Sequence, residues 1–228
     1  MVNFFRNIWL KILSLMTIYR RLRESIHTEI YSPYMGSMFV WREKGQLYLR
    51  TGSLFQASEY ISSMWRLVLE DIACSKIISN DTQLILMYGL GIGGALEVFY
   101  AKFPKCKITA IEYDKTMISL FNQYNSSLQT QKEITIIHND AQDVIFTIDQ
   151  IYTIIIVDLF TNSGASPLLL NEPFVHSIQN RMKSDSRLIV NVYKDISYLQ
   201  LFDKYFLRCK TVTFRESTLG IYTLRPHI

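Results

Sequence analysis

The chain has 228 residues and is 49% hydrophobic, enough for one domain with a buried core and a modest extension. A net charge of +4, with no Lys/Arg-rich run interleaved with aromatics, allows an acidic ligand but predicts no nucleic-acid partner. Cys74, Cys106 and Cys209 are odd in number and far apart, which argues against a disulfide framework or a metal site and fits free thiols in a reducing cytoplasm.

Residues 1–19 are strongly apolar, with Phe5, Ile8, Trp9, Ile12, Leu15 and Tyr19 at helical spacing. Arg6 and Lys11 interrupt the run, so no uncharged stretch spans a bilayer. Arg20, Arg21 and Arg23 follow it, the reverse of a signal peptide's polarity. The stretch reads as an amphipathic helix packed on its own domain or on a partner subunit, with peripheral membrane contact as the alternative. Next, Met38-Phe-Val-Trp41 and Gln46-Leu-Tyr-Leu-Arg50 flank Glu43-Lys44-Gly45, the pattern of a β-hairpin. So much early apolar surface predicts a homodimer.

Residues 58–74 read as a helix with Tyr60, Met64, Leu67, Val68 and Ile72 on one stripe. Apolar strands and amphipathic stretches then alternate. Strands are expected near 84–88, 107–112, 133–138, 152–158 and 187–193, and helices near 93–103, 114–125, 171–183 and 195–205. Two late β runs, 211–216 and 220–224, suit an antiparallel hairpin at the sheet's edge. The pattern predicts a doubly wound, mostly parallel sheet of about seven strands with helices on both faces. Residues 1–56 form the expected helix and hairpin extension, and residues 57–228 one nucleotide-binding α/β domain.

The chemistry concentrates at strand ends, where open α/β sheets bind ligands. The first strand empties into Gly89-Leu-Gly91-Ile-Gly93-Gly94, which lets a nucleotide approach the backbone. The second ends in Glu112, positioned to accept hydrogen bonds from ribose hydroxyls. The third runs through His138 into Asn139-Asp140-Ala141. There Asp140 is a candidate for an exocyclic amine and equally for capping the next helix. The fourth ends in Asp158, whose partial desolvation would raise its pKa and suit it to general-base work or to holding an amine. Tyr193 follows the fifth strand and reads as a core residue, with a pocket wall as the alternative. His138 and His176 read as structural.

Tyr88-Gly-Leu-Gly-Ile-Gly-Gly94, Ile111-Glu-Tyr-Asp114, Asn139-Asp140-Ala141, Ile155-Ile-Val-Asp158 and Ser166-Pro167-Leu-Leu-Leu-Asn-Glu-Pro-Phe174 together resemble the class I S-adenosylmethionine-dependent transferases. More narrowly they resemble the spermidine synthase (aminopropyltransferase) branch, with Gly52-Ser-Leu-Phe-Gln56 sitting where that family has a small N-terminal β domain. The resemblance implies a methyltransferase-like Rossmann fold and either S-adenosylmethionine or its decarboxylated form as cofactor, without metal. It places Gly89, Gly91 and Gly93 along the nucleoside and amino-acid portions, Glu112 on the ribose and Asp140 on adenine. It makes Asp158 the acid that helps deprotonate an amine acceptor, and puts Gln56 and Thr161 in the substrate pocket. The sequence departs from the branch at Thr161, which stands where a second acid would hold a diamine, and at Ile92, which replaces an acid in the glycine loop. Missing acid favours an acceptor with at most one positive charge, because an unpaired buried ammonium costs several kcal/mol. Three functions follow: aminopropyl transfer to a small amine, methyl transfer to a small molecule, or nucleoside binding with little chemistry.

Overall fold

The computed structural model describes residues 28–52, 54–74 and 82–226; the helix expected over residues 1–19 lies outside them, as does the side chain of Cys74. Four antiparallel strands open the described chain: β1 (Thr28–Ser32), β2 (Gly36–Glu43), β3 (Gln46–Thr51) and β4 (Leu54–Ala57), in that spatial order. The expected hairpin is the centre of this sheet. Lys44 and Gly45 both have positive φ, as a tight type I′ turn requires, and Glu43 faces Gln46 across it. Strands β1 and β4 are short and carry no clean alternation, so their pairing is not legible locally.

Helix α1 (Glu59–Cys74) follows. Met64, Trp65, Val68 and Leu69 are buried, whereas Leu67, placed on the buried stripe by sequence, is 41% exposed. The buried face is centred near Trp65, and Leu67 lies on the far side of the helix from it.

The principal sheet contains β5 (Leu84–Tyr88), β6 (Lys107–Glu112), β7 (Ile134–His138), β8 (Tyr152–Val157), β11 (Met182–Tyr193), β12 (Phe206–Phe214) and β13 (Ser217–Leu224). Between β8 and β11 a two-residue hairpin, β9 (Phe160–Thr161) and β10 (Gly164–Ala165), stands apart. The spatial order is β12-β13-β11-β8-β5-β6-β7, with β13 antiparallel to both neighbours and the central pairs parallel. The doubly wound, seven-stranded sheet is thus as expected, and its late hairpin forms the edge.

Alternation along these strands feeds two cores. Ile85, Met87, Ile108, Ala110, Ile154 and Ile156 face α1 and α2 (Leu96–Lys102), packing with Trp65 and Phe99. Leu86, Tyr88, Ile155, Val157, Leu188 and Val190 face α6 (Glu172–Ile178) and α7 (Leu199–Tyr205), packing with Phe174 and Phe202. Both faces are covered, which is why these strands read as continuous apolar runs. Helices α3 (Lys115–Tyr124), α4 (Ser126–Gln131) and α5 (Ala141–Val144) fill the crossovers around β7. No helix among the described residues is long and apolar enough to cross a membrane.

The N-terminal sheet is joined to this core by a third cluster, in which Met38, Val40, Leu49 and Ala57 pack against Ile92, Met117 and Leu120. Polar bonds fix the contact. The buried Ser32 hydroxyl donates to Asp114, whose other oxygen accepts the Thr116 N–H at 2.7 Å and so caps α3. Arg42 Nη2 donates to the Tyr124 carbonyl at 2.9 Å. Asp114→Ala removes a helix cap and strands the Ser32 hydroxyl, and is expected to cost about 1–3 kcal/mol in urea denaturation. An unchanged midpoint would show that apolar packing alone seats the sheet.

Candidate functional site

Strand register builds the site before any side chain is considered. Tyr88 is level with Ile111 on one side and Val157 on the other, and Val157 is level with Val190. The next residue of each strand therefore meets its neighbours at one edge: Gly89, Glu112, Asp158 and Asn191. Backbone bonds seal the junction. The Gly89 N–H donates to the Ile111 carbonyl and the Asp158 N–H to the Tyr88 carbonyl, both at 2.9 Å. The chain winds from β5 outward to β7 and returns to β8 on β5's other side, so this edge is the topological switch point.

Gly89 has a φ of 89°, and a Cβ there would lie 2.2 Å from the Asp158 carbonyl oxygen. Gly91 also has positive φ, 54°, but a Cβ on it would meet nothing within 4 Å, and both residues line the open cleft. Gly93 differs. Its Cβ would strike the Phe121 ring at 2.7 Å, so it seats the loop on α3. Ile92 is buried beneath the N-terminal sheet, so its side chain does not line the cleft.

Glu112 organises the loop. One carboxylate oxygen accepts the N–H groups of Leu90 at 3.0 Å and Gly91 at 2.9 Å; the other accepts the Asp114 N–H at 2.9 Å. Burial pushes its carboxyl above the usual range, against the pull of those three N–H groups. A carboxylate offers roughly four acceptor positions, so about one remains for a ligand hydroxyl while the loop is in place. Asp140 caps α5 by accepting the Gln142 N–H at 2.8 Å and also lines the cleft, which satisfies the capping reading directly. Tyr34 and Tyr113, both about half exposed, line the same region with ring centroids 4.4 Å apart.

Asp158 sits where two cavities meet. The larger, about 1130 Å³, holds Gly89, Gly91, Glu112, Asp140 and Thr161; the smaller, about 520 Å³, holds Tyr60, Asn191 and Arg215. Gln56, Asp158 and Tyr193 belong to both, so Tyr193 walls the site and is not a core residue. Thr161 lines only the larger cleft, where its hydroxyl is engaged with Ser163 at 2.9 Å and the Gly164 carbonyl at 3.3 Å.

Asn191 is the residue that sequence reasoning missed. It is 3% exposed, and its Nδ2 donates to Asp158 Oδ1 at 2.8 Å, while its own Oδ1 is buried with no hydrogen-bond partner. The available signal was a lone amide within the apolar run Leu188-Ile-Val-Asn-Val192. Burial raises the Asp158 carboxyl from its ordinary value near 3.8 to about 6, with the Asn191 bond opposing and the Glu112 charge adding to the rise. The group thus changes charge just below neutrality.

No protein-family model matches the sequence, and no curated protein is significantly similar to it. Solved structures share the fold. A probable spermidine synthase from Corynebacterium glutamicum superposes with a TM-score of 0.67 at 12% identity, covering 89% of this chain and 81% of its own. The spermidine synthase of Thermotoga maritima gives 0.60 at 16% identity over 86% and 72%. Human methyltransferase-like protein 13 in complex with SAH gives 0.59 at 20% identity over 74% and 82%. The chain therefore has the class I methyltransferase-like Rossmann fold.

Two stability experiments probe this geometry. Gly91→Ala is expected to cost about 1 kcal/mol, the strain of a left-handed residue, whereas Gly89→Ala adds a backbone clash and is expected to cost at least about 3 kcal/mol. Equal thermal shifts for the two would contradict the close approach of Asp158. Because its folded pKa is raised, Asp158 stays protonated in the folded protein after the unfolded chain has ionised, so it subtracts stability as pH rises from about 3.8 to 6. Asp158→Asn removes this penalty. In urea denaturation the variant is expected to match the parent near pH 4 and exceed it by about 1–2 kcal/mol at pH 7, after allowance for solvent screening. A constant difference across that window would place the charge elsewhere.

Proposed function

We propose that the chain is a transferase that binds S-adenosylmethionine, its decarboxylated form or a related adenosyl sulfonium compound in the larger cleft, and alkylates a small amine at Asp158. The observation that carries the reading is the convergence of an open glycine loop, a cleft carboxylate and an ionisable base at one switch point. The residues fit such a compound. Gly91 leaves the loop open, Glu112 keeps about one acceptor position for a ribose hydroxyl, and Tyr34 and Tyr113 offer half-exposed rings on which a base can stack. Asp140 lines the same cleft as a candidate acceptor for an exocyclic amine.

When bound, the compound supplies an electrophilic carbon on a sulfonium sulfur: the acceptor nitrogen bonds to that carbon as the carbon–sulfur bond breaks, and its electron pair leaves on sulfur as a thioether. Asp158 accepts the proton that the nitrogen sheds. Asn191 holds one oxygen of Asp158, so the other faces the acceptor, and Gln56 and Tyr193 bridge the two cavities at that point. Proton removal by a positioned carboxylate is typically worth about 10²–10⁴ in rate.

Methyl transfer is the second reading, favoured by Lys194, which lines the cleft as a cation for the carboxylate that ordinary S-adenosylmethionine carries and its decarboxylated form lacks. Lys194 is 3.3 Å from Glu216 and would be shared between the two anions. Calorimetric titration with S-adenosylmethionine, its decarboxylated form, S-adenosylhomocysteine and methylthioadenosine separates the readings by which sulfonium compound binds better. Glu112→Ala is expected to weaken all four by about 10–100-fold, through one lost charge-assisted bond and a loosened loop. Absence of binding, or equal affinity in the variant, would sink the proposal.

A further inference from the structure

The smaller cavity identifies the acceptor more narrowly. Its walls are aromatic, with Tyr48 from β3, Phe55 from β4, Tyr60 from α1, Phe160 from β9 and Tyr193 from β11 converging on it. Tyr60 is rigidly held: its hydroxyl donates to the Phe214 carbonyl at 2.8 Å, its ring lies 5.1 Å from that of Phe214, and the Arg215 guanidinium sits 5.0 Å from its ring centre. Phe55 is 45% exposed, touching Trp41 edge-on at 6.3 Å. At about 520 Å³ the cavity is within the range that encloses a ring system with its substituents. A linear diamine fills only a fraction of it and has no ring to set against these walls.

The charge pattern selects one cation. Three carboxylates, Glu59, Asp158 and Glu216, line the cavity against one guanidinium, Arg215. Glu216 is engaged by Lys194 and by the Tyr193 hydroxyl. Among the described residues Glu59 and Asp158 have no ionic partner, which leaves a small net negative charge once Arg215 is counted. At the end shared with the cofactor cleft, Asn191 binds one oxygen of Asp158. The other oxygen, and Asn191 Oδ1, have no donor among the described residues.

We infer that the acceptor is an aromatic monoamine, its ring held among Tyr48, Phe55, Tyr60 and Phe160 and its primary amine donating to Asp158 Oδ2. The inference rests on the transferase reading above. In the reaction the bound ammonium first gives a proton to Asp158; the lone pair so freed on nitrogen bonds to the sulfonium carbon as the carbon–sulfur electrons leave on sulfur, and the alkylated ammonium product keeps the positive charge.

The test is calorimetric titration of the full-length protein with tryptamine, tyramine and phenethylamine, with and without saturating S-adenosylhomocysteine. Putrescine serves as the diamine control and indole-3-acetate as the anionic one. The arylalkylamines are expected to bind at least about 10-fold more tightly than either control. Phe55→Ala changes a half-exposed rim residue that the fold does not need, and is expected to weaken them by about 3–10-fold while leaving S-adenosylhomocysteine affinity unchanged. Tighter putrescine binding, tighter indole-3-acetate binding, or no arylalkylamine binding overturns the inference. Failure of S-adenosylhomocysteine to bind sinks the transferase reading instead, and the amine titrations without it still decide what the cavity holds.

Discussion

The site depends on the parallel register of four central strands. With Tyr88 level with Ile111 and Val157, and Val157 level with Val190, the residues that follow these four meet at one edge without any side chain pulling them together. The Gly89–Ile111 and Asp158–Tyr88 backbone bonds hold that edge closed at 2.9 Å, tight enough that a single methyl at residue 89 has nowhere to go. Position comes from the ladder and chemistry from what each strand places at that level.

Electrostatics at that edge are arranged as two unlike carboxylates. Glu112 is satisfied by three backbone N–H groups of the loop it supports, which spends most of its acceptor capacity on structure. Asp158 has one side-chain partner and an oxygen to spare, so burial dominates and moves its titration to about 6. Burial raises both carboxyls; three N–H groups oppose it at Glu112 and one amide at Asp158, so the two differ in how much acceptor capacity they keep free. Asn191 is costly in isolation, a buried amide with an orphaned oxygen, and the bond it donates to Asp158 is the compensation.

The N-terminal sheet contributes to both cavities while looking like an accessory. Its inner face is apolar and pinned by the Ser32–Asp114 contact, which also caps α3. Its outer face carries a stacked Trp41–Tyr48 pair, with ring centroids 5.1 Å apart, and continues into the rim of the smaller cavity through Tyr48 and Phe55. Loss of that sheet would remove walls from the smaller cavity and uncover Ile92 in the glycine loop.

Local patterning was sufficient for the main elements. Short apolar runs such as Tyr152–Val157, alternating with amphipathic stretches, read as strands covered on both faces, and the glycines after Tyr88 as a turn at a strand end, so the sheet, its edge hairpin and the positions of Glu112 and Asp158 were readable from sequence. Asp140 was readable in both its senses, and the cap was the one that needed only neighbours in sequence. What tertiary structure decided was every feature that depends on residues distant in sequence. Leu67 left the buried face because the core settled against Trp65, and Tyr193 left the core because β11 ends at the cavity. Gly93 went to Phe121 and Ile92 under the N-terminal sheet, so two loop positions that read as ligand-facing became packing contacts. Asn191 became Asp158's partner through strand register, and Glu59, Tyr60 and Arg215 came together from opposite ends of the chain. Periodicity reports which face of an element is buried; it carries no information about which other element will bury it.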